Sequence, residues 1–326
     1  MAVVLAAAFG DTPADWLRLD VLYRLSVVDG NESFGVEKTA LFYDIAPVRE
    51  MQRRGWITET RNADSLEAQL KKFFATDKLD RENRPKFPVA MLRHSPLPSL
   101  SATEWAWLFR ARQIADAWVD VAVFDPARLD SAERKLRLLE SHPKEARHVS
   151  AIMAEAGIRF VVVEPLPSIK IDGAAFWLNE QSPVIALSAR VDRIDNLWFT
   201  IMHEWAHIRN NDAFSADCNI LGEEEEGVLV RDEIERSAND QASASLVPNS
   251  ELDSFIRRVG PLYSKTRIIQ FANRIKIHPG IIVGQLQYRR EIGWGANREM
   301  LAKMREPLIE TTLTDGWGRT ISPGIL

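Results

Sequence analysis

The chain has 326 residues, of which 46% are hydrophobic and 27% are charged, and its formal net charge at pH 7 is −5. This length predicts about two domains with a sizeable core, and the acidic balance offers no whole-chain basic footprint for nucleic acid. Cys218 is the single cysteine, which excludes an internal disulfide and favours a reducing compartment.

The apolar N-terminal run differs from a secretory signal, because no basic residue precedes Arg18. No stretch of the sequence approaches the roughly 18 uninterrupted apolar residues that a membrane span requires. We therefore predict a cytoplasmic protein that makes no contact with a membrane.

Residues 1–84 are predicted to form a helical N-terminal domain. Prolines 85, 88, 96 and 98 mark residues 85–100 as a linker. Residues 101–310 are predicted to form the second domain, and residues 311–326 a C-terminal tail. The helices expected before the sheet are at residues 2–9, from Pro13, 36–54, 65–74, 102–122 and 130–156.

Three short β-branched or apolar runs, at 158–164, 173–178 and 184–187, predict a small sheet that is antiparallel at least in part. After Ala189 the chain returns to helix and stays mostly helical to about residue 305. The expected fold class is thus α+β, mostly helical, with a small mixed or antiparallel sheet.

The helix predicted after Asp192, a candidate N-cap, contains the motif His203-Glu204-Trp205-Ala206-His207. Residues four apart share one helix face, so both imidazoles can bind one ion. Glu204 projects to the side, where a carboxylate can act as general base toward water at the ion. This spacing is typical of a helix-borne zinc site, although manganese or iron can occupy the same donors.

A catalytic metal usually takes three protein ligands, and no third histidine follows at short spacing. The best candidate is Glu235 on a predicted helix 231–246, with Glu233 and then Asp232 as competitors. The amide oxygen of Asn239, one turn after Glu235, is expected to accept a hydrogen bond from a ligand imidazole and so fix its tautomer.

Four stretches resemble the ImmA/IrrE family of metallopeptidases, in the longer form that follows a HigA-like helix-turn-helix region. The similarity covers roughly residues 100–295 and departs from the family pattern at Ser237 and Gln241. The stretches are IRFVVVEPLPSIKIDGAAFWL, SARVDRIDNLWFTIMHEWAHI, ERSANDQASASLVP and IIQFANRIKIHPGIIVGQLQYR.

The resemblance implies a gluzincin-like site with Glu235 as third ligand and Asn239 behind it. It also implies a zinc-dependent endopeptidase that cleaves a helix-turn-helix repressor or antitoxin in a stress, phage or toxin–antitoxin response. The candidate transition-state stabilisers are Tyr263, His278 and Tyr288. A substrate chain is expected to add to a strand edge among residues 158–187.

The N-terminal segment is similar to the last helices of HigA-like antitoxin domains, without the helices that would enter a DNA groove. This similarity favours a homodimer and leaves contact with DNA or a toxin open. The alternative function is therefore a non-catalytic transcriptional regulator or antitoxin-like binding protein. It depends on the helix-turn-helix spacing around Pro279 and on four basic residues, which are Arg274, Lys276, Arg289 and Arg290.

Overall fold

The chain divides into two compact units, Met1–Pro85 and Lys86–Leu326. The predicted linker 85–100 falls almost entirely outside the residues described here. The computed structural model describes residues 2–10, 12–26, 33–79, 89–90, 100–212 and 225–315.

The first unit is helical over its described residues. The expected helix 36–54 is divided in two, because Pro47 has no N–H with which to continue the helix. The last helix is capped by Asn62, whose side chain accepts a hydrogen bond from the Ser65 amide at 2.8 Å. The helices are α1 (Ala2–Phe9), α2 (Pro13–Ser26), α3 (Ser33–Ile45), α4 (Val48–Arg53) and α5 (Ala63–Phe73).

The second unit contains a five-stranded mixed sheet, so the predicted α+β class is confirmed. The strand order is β1-β3-β4-β2-β5, in which β3 pairs antiparallel with β1 and β4, and β2 pairs parallel with β4 and β5. The two outer strands were not expected from the sequence, since each has only two residues. The strands are β1 (Val89–Ala90), β2 (Arg159–Val162), β3 (Gly173–Trp177), β4 (Pro183–Leu187) and β5 (Leu313–Thr314).

Two helix predictions in this unit were too long. The expected helix 102–122 ends at Asp116, and the expected helix 130–156 is broken at Pro143, where a 3₁₀ turn replaces the α-helix. The helices are α6 (Ala102–Asp116), α7 (Leu129–Leu139), α8 (Val149–Glu155), α9 (Ile194–Asn210), α10 (Glu225–Leu246), α11 (Asn249–Val259), α12 (Lys265–Ile275), α13 (Pro279–Tyr288) and α14 (Arg305–Ile309).

The motif-bearing helix α9 lies in the middle of the second unit, where it packs against β3, β4, α10 and α13. Trp198 and Trp205 are fully or almost fully buried on it. Burial of side chains on several sides explains why its sequence is apolar nearly all round. The sheet and two helices thus hold α9 in place along its length.

The prediction that Asp192 caps α9 was wrong. The helix begins after Arg193, which makes no side-chain cap bond. Asp192 instead accepts hydrogen bonds from the backbone amides of Met304 and Arg305, at 2.8 and 2.7 Å. It therefore caps α14, a partner that a local capping pattern does not reveal.

The α12–α13 pair, whose spacing suggested a DNA-binding motif, forms part of the core. Ile281, Ile282 and Val283 are fully buried on α13, which leaves their face unavailable to a DNA groove. Arg274 and Arg289, two of the basic residues named above, are engaged by Glu251 and Asp253. Among the described residues, no helix combines the length and apolar character needed to cross a membrane.

Candidate metal centre

Helix α9 places the two motif histidines on one face. The Nε2 atoms of His203 and His207 lie 3.0 Å apart, and both side chains are fully buried. The geometry follows from the four-residue spacing, which brings side chains nearly above one another on a helix.

Glu235, from α10, completes the group. Its two carboxylate oxygens lie 3.3 Å from His203 Nε2 and 3.5 Å from His207 Nε2. The fully buried Ala238 and Ala242 face the interior and allow α10 to approach α9 closely. All three candidate donors lie within 4.8 Å of one another.

The donor set fits a tetrahedral divalent cation. Ligand atoms about 2.0–2.1 Å from an ion at tetrahedral angles are about 3.3 Å apart, which matches the carboxylate–imidazole separations. Two imidazoles and one carboxylate are also a ligand set that proteins use for catalytic zinc. The structure therefore contains a His-His-Glu group close enough to bind a metal ion.

The two competing carboxylates do not join this group. Glu233 is exposed and is not among the clustered donors. The side chain of Asp232 lies outside the described part of the chain. Among the described residues, Glu235 is the acidic residue whose oxygens cluster with Nε2 of both histidines.

The electrostatics of the group already favour a cation. Burial alone raises the pKa of Glu235, but hydrogen bonds with His203 and His207 lower it to about 2. Burial lowers the pKa of His203. Burial also lowers the pKa of His207, but hydrogen bonds with Asp212 and Glu235 outweigh this effect and raise the pKa to about 10. The ionised carboxylates of Glu235 and Asp212 thus favour positive charge at His207, either as a proton or as a divalent cation bound in its place.

Asp212 is a site residue that the sequence analysis missed. Its Oδ2 atom lies 3.3 Å from Nδ1 of His207. This ring nitrogen is directed away from the metal group, which comprises the side chains of His203, His207 and Glu235. Asn211 ends α9 in the left-handed conformation, with φ of 61°. The Asp212 amide then donates a hydrogen bond to the His207 carbonyl at 3.1 Å. A carboxylate behind a ligand histidine fixes the tautomer and raises its basicity. The signal in the sequence was Asn-Asp directly after the helix.

Asn239, which was predicted to support a ligand histidine, lies near His203. The Asn239 side chain raises the pKa of His203, and this effect is the weakest of those that act on that pKa. Nδ1 of His203 is buried without a hydrogen-bond partner among the described residues. The supporting role of Asn239 stays a prediction.

Glu204 lies beside the group and is fully buried. The negative charge of its carboxylate raises the pKa of His207. Gly173, the first residue of β3, makes room for it, because a Cβ atom there would lie 2.7 Å from Glu204 Oε1. The glycine is a second residue that the motif alone did not reveal.

The three candidate transition-state stabilisers lie in different surroundings. The Tyr263 hydroxyl donates to Glu291 at 2.5 Å, and burial together with this bond raises the Tyr263 pKa to about 12. His278 caps α13, where its ring accepts from the Gly280 amide at 3.0 Å. The ring of Tyr288 contacts that of Phe199, which in turn contacts the ring of His203.

Comparison of the chain with protein-family models, with curated proteins and with solved structures gives no significant match. The resemblance to ImmA/IrrE metallopeptidases therefore rests on the quoted motifs. The geometry described above is independent of that resemblance, because it comes from the positions of side chains in this chain.

Proposed function

We propose that the protein is a zinc-dependent endopeptidase of the ImmA/IrrE type. The observation that supports this best is the convergence of His203, His207 and Glu235 beside a buried Glu204. Three protein ligands leave one position of a tetrahedral ion for water, which is the arrangement of catalytic rather than structural zinc sites.

Zinc is the metal that this donor set favours, and manganese is the second choice. A divalent ion held by the three ligands would supply Lewis acidity toward water and toward the carbonyl oxygen of a peptide bond. Asp212, behind His207, would keep Nε2 of that ring free to bind the ion.

Glu204 is the general base in this proposal. Its carboxylate takes the proton of the attacking water and later delivers that proton to the leaving amine. Its burial excludes competing solvent, and the glycine at position 173 leaves the space that the Glu204 carboxylate occupies.

The substrate we propose is a specific regulatory protein, a helix-turn-helix repressor or an antitoxin. Strand addition is restricted to part of the sheet, because β1 covers the outer edge of β3 opposite Ala175 and Phe176. Among the described residues, none pairs with β3 on this edge opposite Gly173 and Ala174, which lie next to Glu204. Cytoplasmic location, dimer formation and contact with DNA or a toxin stay predictions.

Metal analysis of the purified full-length protein tests the proposal first. We expect about one zinc per chain in the wild type and in His148→Ala, an exposed histidine variant, and a loss of zinc in His207→Ala. Absence of metal in the wild type after zinc is supplied would contradict the proposal.

Cleavage of a co-encoded repressor or antitoxin is the second test. We expect the wild type to cut it and Glu204→Gln to bind zinc without cutting, since the amide cannot take a proton. Equal cleavage by the two proteins would remove Glu204 from the mechanism. Metal binding without any cleavage, joined with salt-sensitive DNA binding, would favour the regulator instead.

A further inference from the structure

An aromatic surface leads away from the metal group. Phe199 lies one helical turn before His203 on α9, and the two ring centroids are 6.1 Å apart. The ring of Tyr288, at the end of α13, lies 6.4 Å from that of Phe199. Both pairs are tilted by 33°, a geometry within the range of favourable ring contacts. The rings thus run from a candidate ligand to the protein surface.

The backbone on both sides of Tyr288 is held in place. Gln287 is almost fully buried and accepts a hydrogen bond from Arg193 at 2.9 Å. Arg289 donates to Asn249 at 2.7 Å, which ties the end of α13 to α11. A ring mounted between two anchored residues loses little conformational freedom when a ligand binds it.

Tyr288 itself is 64% exposed, although the residue before it is nearly inaccessible. Single exposed aromatic residues are common and require no explanation. This ring differs because its neighbour Phe199 is partly buried and reaches the metal group. The rings of Phe199 and Tyr288 therefore form a continuous apolar surface from the candidate reaction centre to solvent.

We propose that Phe199 and Tyr288 form an apolar subsite for a large side chain of the substrate, aromatic or long aliphatic, next to the scissile bond. This inference rests on the proposed peptidase function and adds a substrate class to it. Two ring faces offer dispersion contacts and stacking to such a side chain, whereas they offer no ion-pair partner to a charged one. The subsite would orient the peptide so that its carbonyl lies beside Glu204.

Binding of two hydroxamate probes to the zinc-loaded full-length protein tests the subsite without a known substrate. The probes are N-acetylphenylalanine hydroxamate and N-acetylglycine hydroxamate, and the dissociation constant of each is measured by calorimetry. In the wild type we expect the phenylalanine probe to bind at least about tenfold more tightly, since burial of a phenyl ring contributes this much.

Substitutions at the two rings should change the ratio of the two affinities. Tyr288→Ala and Phe199→Ala should bring the ratio close to one, whereas Tyr288→Phe should keep it, because the ring and not the hydroxyl makes the contact. Tyr23→Ala, at an exposed tyrosine of the first unit, is the matched control and should leave the ratio unchanged. If Phe199→Ala does not fold, the exposed Tyr288 still carries the test.

The outcomes separate this inference from the proposed function. Equal affinity of both probes for the zinc-loaded wild type would overturn the subsite and leave the metal site intact. A ratio lost in Tyr288→Phe would also overturn it, since the hydroxyl would then be the recognising group. Failure to bind zinc and either probe would remove the proposed function, and the subsite with it.

Discussion

Glu140, at the end of α7, is a carboxyl group in the core whose ionisation should control stability. Its side chain is fully buried, and neither carboxylate oxygen has a hydrogen-bond partner among the described residues. Burial raises its pKa from 4.5 to about 8, while the charge of Arg137 acts downward and that of Glu133 upward. The perturbation we consider is Glu140→Gln, which keeps the size of the side chain and removes its titration.

The sign follows from proton linkage. Between pH 4.5 and about 8 the native protein keeps the Glu140 proton and the unfolded chain releases it, so the free energy of unfolding falls as pH rises. A pH of 7 lies about 2.5 units above the pKa of this carboxyl group in the unfolded chain. At about 1.4 kcal/mol per unit, keeping the proton in the native state lowers the free energy of unfolding at pH 7 by about 3 kcal/mol. The cost is small below pH 4.5, where both states hold the proton.

Urea unfolding of wild type and Glu140→Gln, followed by tryptophan fluorescence at several pH values, measures this effect. We expect the stability of the variant relative to wild type to rise by about 2–3 kcal/mol between pH 5 and pH 7. Glu180→Gln, at an exposed glutamate in the turn after β3, is the matched control. A difference between Glu140→Gln and wild type that does not change with pH would refute the reasoning.

Three further substitutions probe the site and its surroundings. Asp212→Asn should weaken zinc binding by about 10- to 100-fold in competition with a chromophoric chelator, because the ligand imidazole loses its carboxylate partner; an unchanged affinity would contradict this role. Gly173→Ala should displace Glu204 and lower the rate of peptide hydrolysis at least about tenfold, with the zinc content unchanged. The matched control is Gly293→Ala, which should have no effect because its Cβ atom meets nothing within 4 Å. Tyr263→Phe should cost about 1–2 kcal/mol of stability in urea unfolding through loss of a hydrogen bond to a carboxylate; a loss of hydrolysis without a loss of stability would instead assign Tyr263 to the reaction.

Local periodicity made part of the fold and site predictable. The three central strands and the course of α9 follow from short apolar runs and from helical spacing, which act over neighbouring residues. The positions of His203, Glu204 and His207 on one stretch of α9 follow from the same rule. Helix ends were less predictable, because Asp192 caps a distant helix and Pro143 breaks a helix whose periodicity continues across it.

The sequence by itself determined the donor types, their spacing on α9 and the need for a third ligand from elsewhere. Only the tertiary structure decided that Glu235, among neighbouring acidic residues, reaches the histidines, since this depends on how closely α10 packs on α9. It also decided that Asp212, Gly173 and Tyr288 belong to the surroundings of the site. These residues reach it through a left-handed turn, a strand and a second helix. Such contacts join segments far apart in the chain, and no periodicity within one segment encodes the distance between two of them.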